Sequence, residues 1–382
     1  MAAVQPPADG FVGKVFVGKV KDVTGPGITD RWGMACTDLG ASVRAADGAL
    51  VSVFGDTFSG SRVGVGEWRS PVILIGTGDA THEIVYRRAA GGDPRYARQL
   101  WRYRHSAAGG LLRRGISTVI PSDLLRVGDD LFLHAIVNRG FGNVVWTEIW
   151  RSADNGLTWT HLGAKFPAGL HLGHAQCWSW DFDPDDGWIY VVSTGFQRNK
   201  GVILQRVRPQ HLAQPDRYVG WHPGTRRWGE APAPITPPGE TWGELSLRRL
   251  SPGRWILGGF ASSAYALGFR TIAAPTDDLT RAPLQQPVVG CGWADEDHAG
   301  CRVAQLYGGY VLPGSRLDAV GGVGLMVSQW NTARGWPYRV MQFRVTLEDT
   351  TASYRGRRHI GHSVGPSPGS TISPVTSKPK RS

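Results

Sequence analysis

Short apolar runs broken by Gly, Pro and Asp recur along the whole chain. Examples are VSVFGDT, SPVILIGT, WIYVVSTG, VILQRVR, RWILGGF, VGLMVSQW and VMQFRVTL. Each is rich in β-branched and aromatic residues and ends at turn-forming residues, the signature of strands between tight turns. Apolar stripes at helical spacing are almost absent. The pattern predicts an all-β protein.

The segment Ser152-Ala153-Asp154-Asn155-Gly156-Leu157-Thr158-Trp159 sharpens this. Its spacing, S-x-D-x-G-x-T-W, is that of an Asp-box hairpin. Asp and Asn favour the turn, Gly supplies positive φ, and the Trp packs back beneath it. Such hairpins join outer strands in sialidase-like β-propellers; the motif is structural and says little about chemistry. With this anchor the chain divides into five similar units, near 33–80, 116–165, 175–225, 242–282 and 302–348. Each opens on a strand, turns at Gly or Asp and returns through further strands, as a propeller blade does. The expectation is a five-bladed β-propeller over 33–348 with the Asp-box in its second blade. Residues 1–32 form an N-terminal extension that adds a closing strand, and 349–382 form a tail. A jelly roll or sandwich is the competing all-β fold.

Residues 36–58, CTDLGASVRAADGALVSVFGDTF, read as a hairpin turning at Ala46-Asp47-Gly48, with Gly48 in the left-handed region. That turn pairs Val43 with Val51, Ala41 with Val53 and Thr37 with Thr57 on one face. On the other it pairs Ser42 with Ser52, Gly40 with Phe54 and Asp38 with Asp56. A slip by one residue would mix Val43 with Ser52 and spoil the apolar face. Two carboxylates therefore oppose each other, with Cβ atoms about 4.5–5.5 Å apart. Like charges so placed destabilise a hairpin and raise one pKa, a cost expected where carboxylates do acid–base work. The structural alternative is that each aspartate caps a nearby loop.

Composition adds little to the fold and more to the setting. With 52 Gly, 25 Pro and 16 Trp in 382 residues, the chain suits many turns and densely packed blades. Four cysteines exclude a disulfide-stapled scaffold. No apolar run approaches the roughly 20 residues that span a bilayer. The net charge is +11, but no acidic residue follows Asp349, whereas Arg355, Arg357, Arg358, Lys378, Lys380 and Arg381 do. The segment SVGPSPGSTISPVTSKPKRS is Ser/Pro-rich and aperiodic and reads as a disordered tail. No stretch interleaves basic and aromatic residues as a nucleic-acid groove requires, so no nucleic-acid partner is expected.

Thr37-Asp38-Leu39-Gly40, Phe54-Gly55-Asp56-Thr57-Phe58 and Trp68-Arg69-Ser70-Pro71 resemble the motifs of an actinobacterial family once known only as a domain of unknown function. That family is now associated with endo-D-arabinanases, glycoside hydrolases of the D-arabinan in mycobacterial arabinogalactan and lipoarabinomannan. The resemblance is strongest in the first blade. It implies a five-bladed propeller and hydrolysis of α-D-arabinofuranosyl linkages, with the family's paired aspartates falling on Asp38 and Asp56.

Glycoside hydrolysis needs one carboxylic acid to protonate the leaving oxygen and a second carboxylate to activate water or attack the anomeric carbon; no cofactor is required. Likeness to propeller arabinanases favours inversion. A second assignment follows from blade openings: Asp123 in Pro121-Ser122-Asp123-Leu124 and Glu244 in Trp242-Gly243-Glu244-Leu245 occupy positions like that of Asp38. Inner strands line a propeller's channel, so Asp38 as base, Asp123 as modulator and Glu244 as acid is the rival set. Sugar binding calls for aromatic faces and planar donors. Trp68, Arg69, His134, His171, His174, Gln176, Trp178 and Asn331 are the candidates, with a structural loop as the alternative reading of 171–178. His171 and His174 lack the further ligand spacing of a zinc site, and no metal is expected. Cys291 and Cys301 bracket a short loop that a disulfide could close.

The expected partner is a cell-wall polysaccharide, and a non-catalytic sugar-binding propeller is the alternative function. Such a substrate lies outside a cytoplasm, yet the N-terminus has no continuous apolar segment of the export type. The expected setting is therefore extracellular or on a phage tail, beside other tail proteins.

Overall fold

The computed structural model describes residues 15–103, 105, 115–140, 142–317, 321–331 and 336–347. The proposed tail at 349–382 lies outside them. Strand β1 (Val15–Asp22) comes first and pairs with the last strand, as given below. Blade 1 holds β2 (Cys36–Arg44), β3 (Leu50–Phe58), β5 (Val72–Thr77) and β6 (Val85–Ala89), with the two-residue β4 (Trp68–Arg69) pairing on β3. Blade 2 holds β7 (Thr118–Val127), β8 (Asp130–Asn138), β9 (Val144–Ser152) and β10 (Thr160–Pro167). Blade 3 holds β11 (Cys177–Asp183), β12 (Trp188–Thr194), β13 (Ile203–Val207), β14 (Val219–His222) and β15 (Arg227–Trp228). Blade 4 holds β16 (Leu245–Ser251), β17 (Arg254–Ala261), β18 (Ala266–Ile272), β19 (Gln285–Cys291) and β20 (Arg302–Ala304). Blade 5 holds β21 (Leu306–Val311), β22 (Val323–Asn331) and β23 (Trp336–Leu347), and β1 pairs antiparallel with β23 as its outermost strand. The protein is an all-β, five-bladed propeller whose ring is closed by strands from both ends of the chain.

The first strand of each blade is innermost. β2 packs against β7 and β21, β7 against β11, β11 against β16, and β16 against β21. Burial follows this order. Inner β2 and β21 are buried almost throughout, whereas outer β10 alternates. Strands covered on both faces read as continuous apolar runs, and strands with one wet face alternate. The fourth blade runs further than the expected 242–282, because β20 returns parallel to β19 and adds a fifth strand.

The turns carry the expected chemistry. Gly48 has φ 85°, and the Ala49 N–H donates to Asp47 Oδ1 at 2.9 Å. In the Asp-box, Ser152 Oγ donates to Asp154 Oδ1 at 2.7 Å and accepts from the Gly156 N–H at 2.9 Å. The Thr158 N–H donates to Asp154 Oδ1 at 2.9 Å, and Trp159 Nε1 donates to the Gly156 carbonyl at 3.0 Å. A Cβ on Gly156, at φ 89°, would stand 2.9 Å from Val51 Cγ1, so this hairpin also seats blade 2 on blade 1. Among the described residues no helix is long and apolar enough to cross a membrane. Cys36, Cys177, Cys291 and Cys301 are all free thiols, so the 291–301 loop is not bridged here.

Candidate active site

The hairpin of blade 1 departs from a regular ladder at its functional end. The register is Thr37↔Thr57, then Leu39↔Phe54, then Ala41↔Val53. Between the first two pairs β3 has Gly55 and Asp56 against Asp38 alone; between the next two β2 has Gly40 against nothing. Two compensating bulges thus replace the expected direct Asp38–Asp56 pair. The backbone cause is Leu39 at φ 67° and Gly40 at φ 105°. Bulges re-aim side chains beside functional sites, and here the device turns Asp38 towards the neighbouring blade. Gly55 makes the space: a Cβ there would stand 2.4 Å from Asp38 Oδ1.

Asp38 is only 7% exposed. Its Oδ2 accepts from the Tyr307 hydroxyl at 2.8 Å, while Oδ1 is buried with no hydrogen-bond partner. Burial, and after it the charge of Asp56, push its pKa well above the carboxylate range; the Tyr307 hydrogen bond pulls the other way, and Glu244 and Arg198 contribute smaller opposing effects. Asp56 is half-buried. Trp68 Nε1 donates to its Oδ1 at 2.8 Å and the Thr118 hydroxyl to the same atom at 3.0 Å. Burial raises its pKa too, but these two donors favour its ionised form. Two coupled carboxylates in one desolvated place cannot easily both be charged. Asp38, without a second donor, is the more strongly raised of the two.

Glu244, immediately before inner strand β16, faces the pair from blade 4. Its Oε1 meets Arg198 Nη2 at 2.6 Å and its Oε2 accepts from the Gly308 N–H at 3.2 Å. Burial works against the Arg198 charge, and Glu244 more than restores it. The guanidinium also lies 5.1 Å from the Tyr307 ring centroid. Tyr307 and Arg198 thereby link the carboxylates of blades 1 and 4.

An aromatic line passes the aspartates. Trp330 meets Tyr338 at 5.8 Å between centroids, Tyr338 meets Phe58 at 6.4 Å, Phe58 stacks on Trp68 at 5.9 Å, and Trp68 stacks on His105 at 4.1 Å. Trp330 is 39% exposed and forms its open end.

Other residues named from the sequence lie elsewhere. Asp123 is fully buried and saturated: Arg248 grips both oxygens at 2.7 Å, and the Ser179 hydroxyl and the Leu124 N–H add further bonds. Its carboxylate is spent on an interior ion pair, the kind whose breakage costs about 3–5 kcal/mol, and it cannot reach a substrate. Arg69 is 2% exposed, donates to the backbone carbonyls of Ala97 and Gly33, and lies over Tyr96. It is a tie beneath the site rather than a sugar contact. His134 and Trp178 stack on each other at 4.1 Å and are wholly buried between blades 2 and 3, out of reach of a sugar. His171 meets Gln205 and His174 meets the Gly201 carbonyl, both at 3.0 Å or nearly so. Gln176 braces that loop by donating to the Ala168 carbonyl and accepting from the Phe196 N–H. Asn331 ends β22, and its side chain is outside the described residues. Arg198, Tyr307, Tyr338 and Thr118 were not singled out from the sequence. Each comes from a different loop or strand and acquires meaning only by contact.

A family model described as a domain of unknown function, DUF4185, matches residues 24–344. The chain belongs to this family. This DUF4185 chain is 28% identical over 334 residues to an uncharacterised 35.9 kDa protein of the asd 3' region in Mycolicibacterium smegmatis, covering 83% of this chain and 94% of that protein. It is also 28% identical over 323 residues to notoamide biosynthesis cluster protein J' of Aspergillus versicolor, covering 79% of this chain and 83% of that one. Among solved structures it resembles a Bacteroides ovatus protein at 14% identity and a TM-score of 0.56, over 93% of this chain and 96% of the other. That likeness concerns the DUF4185 fold alone.

Proposed function

We propose that this protein is a glycoside hydrolase of α-D-arabinofuranosyl linkages in mycobacterial-type cell-wall arabinan, with Asp38 and Asp56 as the reacting pair. The observation that carries this reading is the coupled, desolvated couple of carboxylates in one bulged hairpin, flanked by an aromatic line. Asp38, protonated by burial, donates its proton to the leaving glycosidic oxygen. Asp56, whose ionised form the Trp68 and Thr118 donors favour, deprotonates the attacking water, giving inversion; a retained anomer would instead make it the nucleophile. Glu244 is engaged in an ion pair with Arg198, so its part in this reading is to balance charge beside the pair. Furanose rings stack on the indole of Trp330. The family resemblance in the TDLG, FGDTF and WRSP motifs supplies the substrate class, and action at a cell surface, whether by a secreted or a phage-tail protein, follows from that substrate.

The test is incubation with mycobacterial arabinogalactan and lipoarabinomannan. Oligoarabinosides should appear, and Asp38→Asn or Asp56→Asn should abolish their release while leaving polysaccharide binding intact. Binding without release by the unaltered protein, unchanged in Asp38→Asn, would instead indicate a sugar-binding module.

A further inference from the structure

The channel has a second mouth, where the inner strands end rather than begin. A cavity of about 380 Å³ lies there. Arginines from four blades line it: Arg44 at the end of β2, Arg126 near the end of β7, Arg248 and Arg249 in β16, and Arg316 beyond β21. Three of these charges are neutralised. Arg44 pairs with Asp79, Arg248 with Asp123, and Arg249 with Asp183 and Asp185. Among the described residues Arg126 bonds neutral groups alone, donating to the Gly128 carbonyl at 2.7 Å and the Ala45 carbonyl at 3.4 Å. Among the described residues no carboxylate pairs with Arg126 or with the exposed Arg316. One acid faces the cavity, Asp181. Its oxygens already accept from the Phe182 and Arg249 N–H groups at 2.9 and 2.7 Å, and burial raises its pKa to about 6. Arg126 and Arg316 thus present two guanidinium groups without a carboxylate partner among the described residues, beside a concave, partly buried floor.

We propose that this second mouth is a binding site for a phosphate group, free or as the monoester of a small polyol, held by Arg126 and Arg316. Planar guanidinium forks match phosphate oxygens two at a time and bind them more firmly than an ammonium does. The cavity is larger than one phosphate, which leaves room for a short substituent. The site is independent of the hydrolytic reading, because its residues lie at the opposite ends of the strands from Asp38 and Asp56.

Calorimetric titration of the full chain with inorganic phosphate and with glycerol phosphate, at fixed ionic strength in chloride, tests it. Saturable binding at one site per chain is expected, weakened by about tenfold or more in Arg316→Ala and in Arg126→Ala. Both variants should melt like the parent without phosphate and should act on arabinan like the parent. Tighter binding of glycerol phosphate assigns the site to esters, and equal binding assigns it to the free ion. No saturable heat, or the same isotherm in the Arg126→Ala/Arg316→Ala double variant, overturns the proposal whatever the fate of the hydrolase assignment.

Discussion

The phenol of Tyr307 in blade 5 donates to Asp38 Oδ2 in blade 1 at 2.8 Å, across 269 residues of sequence. This bond favours the ionised form of Asp38, while burial and the Asp56 charge favour the acid and prevail. Tyr307→Phe removes the only one of these influences that a single hydroxyl supplies. The Asp38 pKa should then rise further, and the alkaline limb of the kcat/KM profile on arabinan should move to higher pH. A limb that stays fixed or moves towards acid would show that Asp38 is not the group that must be protonated.

Gly55→Ala tests the bulge. The added Cβ would stand 2.4 Å from Asp38 Oδ1 and 2.9 Å from Leu39 Cδ1, so the carboxyl must give way. Turnover should fall about a hundredfold, as misplaced reacting groups usually cause, while the melting temperature changes by only a few degrees. Turnover near that of the parent would mean the Asp38 position is not critical.

Trp330 offers an open indole at the end of the aromatic line. Trp330→Ala should raise KM for polymeric arabinan about tenfold, or ~1.4 kcal/mol, with kcat almost unchanged. A small aryl arabinofuranoside should be cleaved as before. Equal losses on both substrates would place Trp330 in support of the carboxylates instead of in a distant sugar contact.

His134 is buried against Trp178 with both ring nitrogens unpartnered, and burial pushes its pKa well below the ordinary imidazole value. The native state therefore keeps it neutral. As pH falls through about 6.5 the unfolded chain takes up a proton that the native state refuses, so stability present above that pH is lost, by up to about 1.4 kcal/mol per unit. Urea unfolding between pH 7.5 and 5 should show this slope. His134→Phe should flatten it and be stabilising or neutral at pH 7, since an apolar ring replaces unsatisfied polar atoms. An unchanged slope would assign the acid sensitivity to other groups.

Much of the fold follows from local signals. Apolar runs, turn residues and the Asp-box determine strands and hairpins through neighbours a few residues apart, and five repeats of that pattern determine the blades. The Asp38/Asp56 motif is likewise local, because both residues belong to one hairpin. The tertiary structure decided what periodicity cannot carry. A strict period of two predicts a direct Asp–Asp pair, but the left-handed Leu39 breaks the ladder, and nothing in a leucine announces positive φ. Asp123 and Glu244 look alike as acids at the openings of inner strands; one is locked to Arg248 inside the ring and the other faces the aspartates beside Arg198. His134 and Trp178 have the composition of a sugar platform and the burial of a core. Burial, partner and electrostatic neighbourhood are properties of contacts between blades, and those contacts exist only once the ring has closed.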